Sequence, residues 1–182
     1  MANNAKKYII TAVTLGVIAA ASAGLIGLTN LFTAKQIAIN EQNKIKAGIT
    51  EIFGENVEVL EEKAINDKDL KYTNYEYTLA EGLVFRTTGS NMYGKISMLV
   101  GYRKMILPGG GGTFEYKFGK IYLISNEQTY ASTLVDNYVT PINDPDIDYD
   151  YEDVKCGATY GATLIKEMID ETKTIADSRK GM

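Results

Sequence analysis

The segment Asp153-Val154-Lys155-Cys156-Gly157-Ala158-Thr159 stands directly before a stretch with helical periodicity, so the Thr159 hydroxyl is expected in the first turn of a helix. Unpaired backbone N–H groups and the positive end of the helix dipole stabilise an anion at such a place. A hydroxyl there is suited to carry a phosphoryl group. Gly157 permits close backbone approach to a ligand, and Ala158 adds no bulk. The same threonine also suits the plainer role of helix N-cap. Cys156 is either a redox-sensitive thiol or simply a small buried residue.

Composition narrows the chemistry. The chain has no histidine, which excludes hydrolases with a His-activated nucleophile and His-ligated metalloenzymes. Carboxylates, tyrosines or a bound cofactor must supply any reactivity. With a single cysteine, no disulfide forms within the chain, and the redox compartment stays open. A net charge of −4 without a long basic tract gives no phosphate-neutralising surface, so nucleic acid is not an expected partner.

Two other segments invite a site and fall short. Asp144, Asp146 and Asp148 alternate as calcium ligands do, but Tyr149 occupies the sixth loop position where Gly is needed. Lys155 occupies the twelfth, where Glu is needed, so the stretch is expected to be a solvated acidic linker. The run Gly109 to Gly112 after Pro108 lacks the Lys-Ser/Thr of a phosphate-cradling loop and is expected to be a plain surface loop.

The elements that must position Thr159 begin with an anchor. Tyr8 to Leu31 is an almost wholly apolar run, ~36 Å long as a helix, which exceeds a ~30 Å hydrocarbon core. A cleaved signal peptide is the competing possibility, with Lys6 and Lys7 ahead of the apolar run and Ala21-Ser22-Ala23 as the cleavage site. The apolar run continues past that site, which favours a retained helix. Gly16, Ala20, Gly24 and Gly27 would allow a neighbouring membrane helix close approach, although small residues also simply tolerate lipid. Lys6 and Lys7 on one side and Lys35, Lys44 and Lys46 on the other leave orientation undecided by charge.

Beyond the anchor, Ile45, Ile49, Ile52 and Phe53 share a helical face, and Gly54 ends that helix. Short runs rich in Tyr, Val and Ile follow at 57–62, 72–79, 83–88 and 95–102, then TFEYKF and KIYLIS on either side of Gly119. They predict an antiparallel or mixed sheet. Leu164, Ile165, Met168, Ile169 and Ile175 line one face of a final helix over about 160–178. The expected class is α+β, with an anchor at 1–34, a connecting helix at 35–54 and one domain at 55–182.

The segment ending in Thr159 resembles the flavinylation motif of the FMN-binding subunits of Rnf electron-transport complexes and of the related Na⁺-pumping NADH:quinone oxidoreductase. Leu28-Thr29-Asn30, Thr33 and Gln36-Ile37-Ala38 after the membrane run, the helix ending near Gly54, the sheet, and the motif before the last helix follow that family's order. The resemblance implies FMN joined by a phosphoester to Thr159 by a separate flavin transferase, with Gly157 and Ala158 giving access. It also implies a domain outside the cytoplasm, other membrane subunits as partners, and service in a ferredoxin:NAD⁺ oxidoreductase coupled to Na⁺ or H⁺ transport. The protein is then an electron-transfer subunit with no turnover of its own.

The chain departs from the family at several points. The family's Glu-Thr-Pro-Gly-Leu-Gly segment, which borders the flavin, appears as Glu127-Gln128-Thr129-Tyr130-Ala131-Ser132, making Glu127 and Thr129 its flavin-contact candidates. Cys156 stands where Ser or Thr is usual, and Gly161 where a second hydroxyl commonly follows. The insertion around the glycine run also differs. Tyr149, Tyr151 and Tyr160 flank the motif and offer faces to the flavin ring, while sheet packing serves any of the 13 tyrosines equally well. A free-standing tethered flavoprotein and a flavin-free assembly subunit are the alternative roles.

Overall fold

The computed structural model describes residues 2–108, 112–146 and 150–179, with side chains from Lys6 onward. Gly109 to Gly111, Asp148 and Tyr149 lie outside the described residues. The class is α+β. Two compact units are formed, Met1–Asn43 and Lys44–Met182. Helix α1, Ala2–Phe53, contributes to both.

In the first unit, α1 presents its apolar side chains from Tyr8 to Phe32 without cover. By length and composition the helix is sufficient to cross a membrane. Thr11, Thr14, Thr29 and Thr33 each return their hydroxyl to the carbonyl four residues earlier, which leaves no hydroxyl proton for lipid to solvate.

The second unit is built on a five-stranded antiparallel meander in the order β1-β2-β3-β4-β5. The strands are Val59–Ala64, Thr73–Leu79, Gly82–Asn91, Gly94–Ile106 and Phe114–Asn126. The runs TFEYKF and KIYLIS, read as two strands separated by Gly119, are thus one strand. Gly119 does not break β5 because the β4–β5 register shifts between Val100 and Tyr102, beside Gly101. A Cβ on Gly119 would stand 3.3 Å from the Gly101 carbonyl. Two facing glycines let the backbones close over the irregularity.

Alternation along β3 and β4 sends Leu83, Phe85, Ile96, Met98, Val100 and Tyr102 to one face and Val84 and Leu99 to the other. Both faces are covered, which explains why Ile96 to Tyr102 is buried without an exposed alternate. On one face lies α4, Thr159–Ser178, through Ala162, Leu164, Ile165, Met168 and Ile169. On the other lie Ile45, Ile49, Ile52 and Phe53 of α1, the side chains that the spacing had grouped. Gly101 makes that contact possible, since a Cβ there would stand 2.3 Å from Ile52 Cγ2.

Tyr102 crosses the core to α4, its hydroxyl 2.8 Å from Thr172 Oγ1 and 3.1 Å from the Ile169 carbonyl. Burial holds this phenol well above its ordinary range, so it stays neutral.

A helical stretch that the sequence pattern does not announce follows β5. It comprises α2 (Ala131–Leu134), a π-helical turn (Val135–Val139) and α3 (Thr140–Asn143). Leu134, Tyr138, Val139 and Ile142 bury into the α4-side core. At its end the Asn143 amide accepts from Ile121 N at 2.9 Å and donates to Ile121 O at 2.8 Å. This side chain covers part of the free edge of β5 as a neighbouring strand would.

Candidate functional site

Thr159 is the first residue of α4, and the N-cap is Ala158, whose side chain makes no capping bond. The plainer role of Thr159 as N-cap is therefore not the one it takes. Its side chain is exposed, and its hydroxyl makes no hydrogen bond among the described residues. The Ala158 carbonyl closes the first turn by accepting from Gly161 N at 2.9 Å and Ala162 N at 3.1 Å. The N–H groups of Thr159 and Tyr160 lie ahead of those bonds and have no intrahelical acceptor.

The approach to Thr159 is fixed from behind. Lys155 N donates to Asp153 Oδ1 at 3.1 Å, and the Cys156 carbonyl accepts from Asn137 Nδ2 at 3.0 Å. Tyr138 donates its hydroxyl to the Tyr151 carbonyl. Cys156 and Ala158 are buried in the core, and Gly157 between them takes φ +83°, a left-handed conformation that turns the chain into α4. The thiol is thus a packed side chain facing inward.

In front of Thr159 a cavity of about 270 Å³ opens, lined by Gly157, Ala158, Thr159, Tyr160 and Gly161 of the motif and helix start, and by Tyr93, Gln128, Tyr130 and Leu134. The Tyr93 and Tyr160 rings lie 5.0 Å apart at 35°. Tyr130 and Tyr160 are both largely exposed, so the mouth is rimmed by aromatic surface. One hydrogen-bond network joins its three walls. Asn91 Oδ1 accepts from Tyr93 N at 2.8 Å and Gln128 Nε2 at 3.1 Å, and Asn91 Nδ2 donates to the Tyr160 carbonyl at 3.0 Å. Gly94, at φ +139°, lets the β3–β4 turn press on the next segment, since a Cβ there would lie 2.1 Å from the Glu127 carbonyl.

Residues 1–52 match the family model of the RnfG N-terminal region. That match covers less than a third of the chain and supports its resemblance to the RnfG/NqrC-type family. No curated protein and no solved structure matches the chain. The cavity lies outside the matched residues, so its chemistry rests on its own geometry and on the motif.

Of the residues singled out in the sequence, Gly157, Ala158, Thr159 and Tyr160 meet at the cavity. Glu127 and Thr129 border it without lining it. Glu127 is exposed and its N–H goes to the Lys95 carbonyl, while Thr129 donates both its N–H and its hydroxyl to the Tyr93 carbonyl. The residues between and after them, Gln128 and Tyr130, form the wall instead, because a turn projects alternate side chains to opposite sides. Tyr151 packs elsewhere, on Phe118 with rings 5.5 Å apart. Tyr93 and Leu134 had no local signal, being far from the motif in sequence.

In the acidic stretch, Asp144 and Asp150 direct their carboxylates to the backbone N–H groups of Asp146 and Glu152. Among the described residues no group of three or more His, Cys, Asp or Glu could hold a metal.

Packing explains why residue 161 has no side chain. A Cβ there would lie 2.7 Å from Leu134 Cδ2 and 3.4 Å from Gln128 Oε1. Leu134 is fully buried and has little room to yield. Gly161→Ser is expected to destabilise the second unit by about 1–3 kcal/mol, as overpacking does, seen as a lower denaturation midpoint at unchanged slope.

Proposed function

We propose that this chain is an electron-transfer subunit of an Rnf-type ion-translocating oxidoreductase complex and carries FMN esterified through its phosphate to Thr159. The observation that carries the reading is the exposed, unbonded Thr159 hydroxyl in the first turn of α4, opening on an aromatic-rimmed cavity.

The residues present fit such a group. The N–H groups of Thr159 and Tyr160 are placed to donate to phosphate oxygens, and the helix dipole favours the negative charge. Gly157 keeps the approach to the hydroxyl free of side chain, with only Thr133 Cγ2 near the position a Cβ would take, at 3.4 Å. Tyr93, Tyr130 and Tyr160 offer flat apolar surface to a ring system. When bound, FMN supplies the one- and two-electron chemistry that none of these side chains has. Attachment forms a bond from Thr159 Oγ1 to phosphorus and releases the hydroxyl proton. A leaving group departs from the activated flavin nucleotide presented by a flavin transferase, so the net addition is FMN less one water.

The family resemblance supports other membrane subunits of the complex as partners and a second unit outside the cytoplasm. A covalent link has its greatest value there, where lost FMN is not replaced. An introduced cysteine at exposed Lys117 tests the location, since Cys156 is buried and adds little background. Membrane-impermeant maleimide is expected to label Lys117→Cys in intact cells as fully as in lysed ones, and protection in intact cells would place the unit inside.

Intact mass and in-gel flavin fluorescence of the denatured chain, made with and without its flavin transferase, test the cofactor. The expected result is one FMN less water per chain, dependent on the transferase. Unmodified protein beside a control substrate that is modified would instead favour a flavin-free assembly subunit.

A further inference from the structure

Gln128 is a polar residue only 7% exposed, yet half of its amide is unused. Its Nε2 donates to the Gly94 carbonyl at 2.6 Å and to Asn91 Oδ1 at 3.1 Å. A carbonyl only accepts, so the amide orientation is fixed with nitrogen toward Gly94 and Oε1 on the opposite side. That side is the cavity. Oε1 lies 3.4 Å from the position a Cβ on Gly161 would take, and Gly161 is itself a lining residue. No donor among the described residues reaches Oε1.

Oε1 is not sealed from solvent, so water satisfies it until a donor on a ligand takes that place. Every other bond of this residue serves to hold it. Its backbone N–H donates to Asn126 Oδ1 at 3.1 Å, and Asn91, which anchors Nε2, is tied to the Tyr160 carbonyl at 3.0 Å. The acceptor is therefore presented rigidly at the base of the cavity, beside the helix start that bears Thr159.

We propose that Gln128 Oε1 accepts a hydrogen bond from a donor on the flavin and gives the cavity a non-covalent affinity for flavin that precedes and outlasts the link at Thr159. The assignment rests on the flavin reading above. The donor is either the single N–H of the oxidised ring, at N3, or a ribityl hydroxyl. Gln128 is the specificity-determining contact here, and Asn91 is a positioning residue acting through it.

The test uses the full-length chain in detergent, made without transferase, titrated with riboflavin, 3-methylriboflavin (no N3–H) and lumiflavin (no ribityl chain). Each is followed by flavin fluorescence in wild type and Gln128→Leu. Wild type is expected to prefer riboflavin over one analogue by about fivefold, the net worth of one hydrogen bond exchanged with water. In Gln128→Leu that preference is expected to fall to near unity. Loss against 3-methylriboflavin assigns the ring N–H, and loss against lumiflavin assigns the ribityl chain.

A merely structural role for Gln128 would weaken all three ligands alike and keep the preference, which would overturn the proposal. Asn91→Ala loosens Gln128 while leaving Oε1 in place, and is expected to shrink the preference without abolishing it. A wild-type chain that binds none of the three yet is flavinylated by the transferase also overturns the proposal while sparing the flavin reading. A chain that shows neither binding nor flavinylation would defeat that reading itself.

Discussion

Thr159→Ala is expected to yield a chain that folds and inserts as wild type does but carries no flavin after co-expression with the transferase. The loss should be complete, because the substitution removes Oγ1 with its methyl group and no adjacent aliphatic hydroxyl takes its place. Tyr160 follows directly, and Gly161 offers no side chain. Folding should be spared because the Thr159 hydroxyl makes no hydrogen bond and the side chain is exposed. Thr159→Ser separates chemistry from sterics. It keeps an oxygen at the same position on the first turn and is expected to be flavinylated, more slowly if the methyl group helps hold the rotamer. The measurement is intact mass of all three proteins with a thermal melt of each. A flavinylated Thr159→Ala chain would move the attachment elsewhere and remove the reason for assigning a role to this helix start.

The largest expected effect on stability lies on the other side of the fold. Glu171 projects from α4 onto the start of β2. Its carboxylate accepts from Lys71 N at 2.7 Å, Tyr72 N at 3.0 Å, Thr73 N at 2.7 Å and Thr73 Oγ1 at 2.6 Å. Tyr72 and Thr73 are buried, so removing the carboxylate strands donors that water reaches poorly. Glu171→Ala is expected to cost the second unit about 3 kcal/mol, since bonds to a charged group are the strong ones. A fall of roughly 10 °C in melting temperature would accompany it for a unit of this size. Glu171→Gln keeps one accepting oxygen and should fall between wild type and Ala. Lys71→Ala serves as the control. It removes an ion pair with Glu167 at 3.7 Å whose two side chains are 73% and 49% exposed, and it should leave the melting temperature unchanged. Circular dichroism of the full chain checks all three. A Glu171→Ala chain as stable as wild type would show that β2 is held by the sheet alone.

Elements with a strong period were legible from the residue pattern alone. Ile45, Ile49, Ile52 and Phe53 fell on one helical face and are buried on the sheet, and the apolar run from Tyr8 to Leu31 lies in a helix. The stretch from Ala131 to Asn143 was not legible. It changes from α to π and back within a few turns and carries Pro141, so no constant period runs through it. Gly119 reads locally as a break, and only Gly101 on the neighbouring strand shows why β5 continues.

For the candidate site the division is similar. Local order alone placed Gly157, Ala158 and Thr159 together at a helix start, because the motif is contiguous and the periodicity after it is plain. The sequence also determined the absence of histidine chemistry and the presence of a segment long and apolar enough for a membrane. It had no means to decide that Gln128 and Tyr130, rather than Glu127 and Thr129, form the opposite wall. Which side chains of a turn face a cavity depends on how the turn is pinned, here by Asn91 from one strand pair and by the carbonyls of Tyr93 and Gly94. Tyr93 reached the cavity through the β3–β4 turn, and Gly161 owes its missing side chain to Leu134, which lies on another helix. These contacts join residues far apart in the chain, and the free energy that fixes them comes from burying the sheet on both faces, a property of the folded unit that no short window of residues contains.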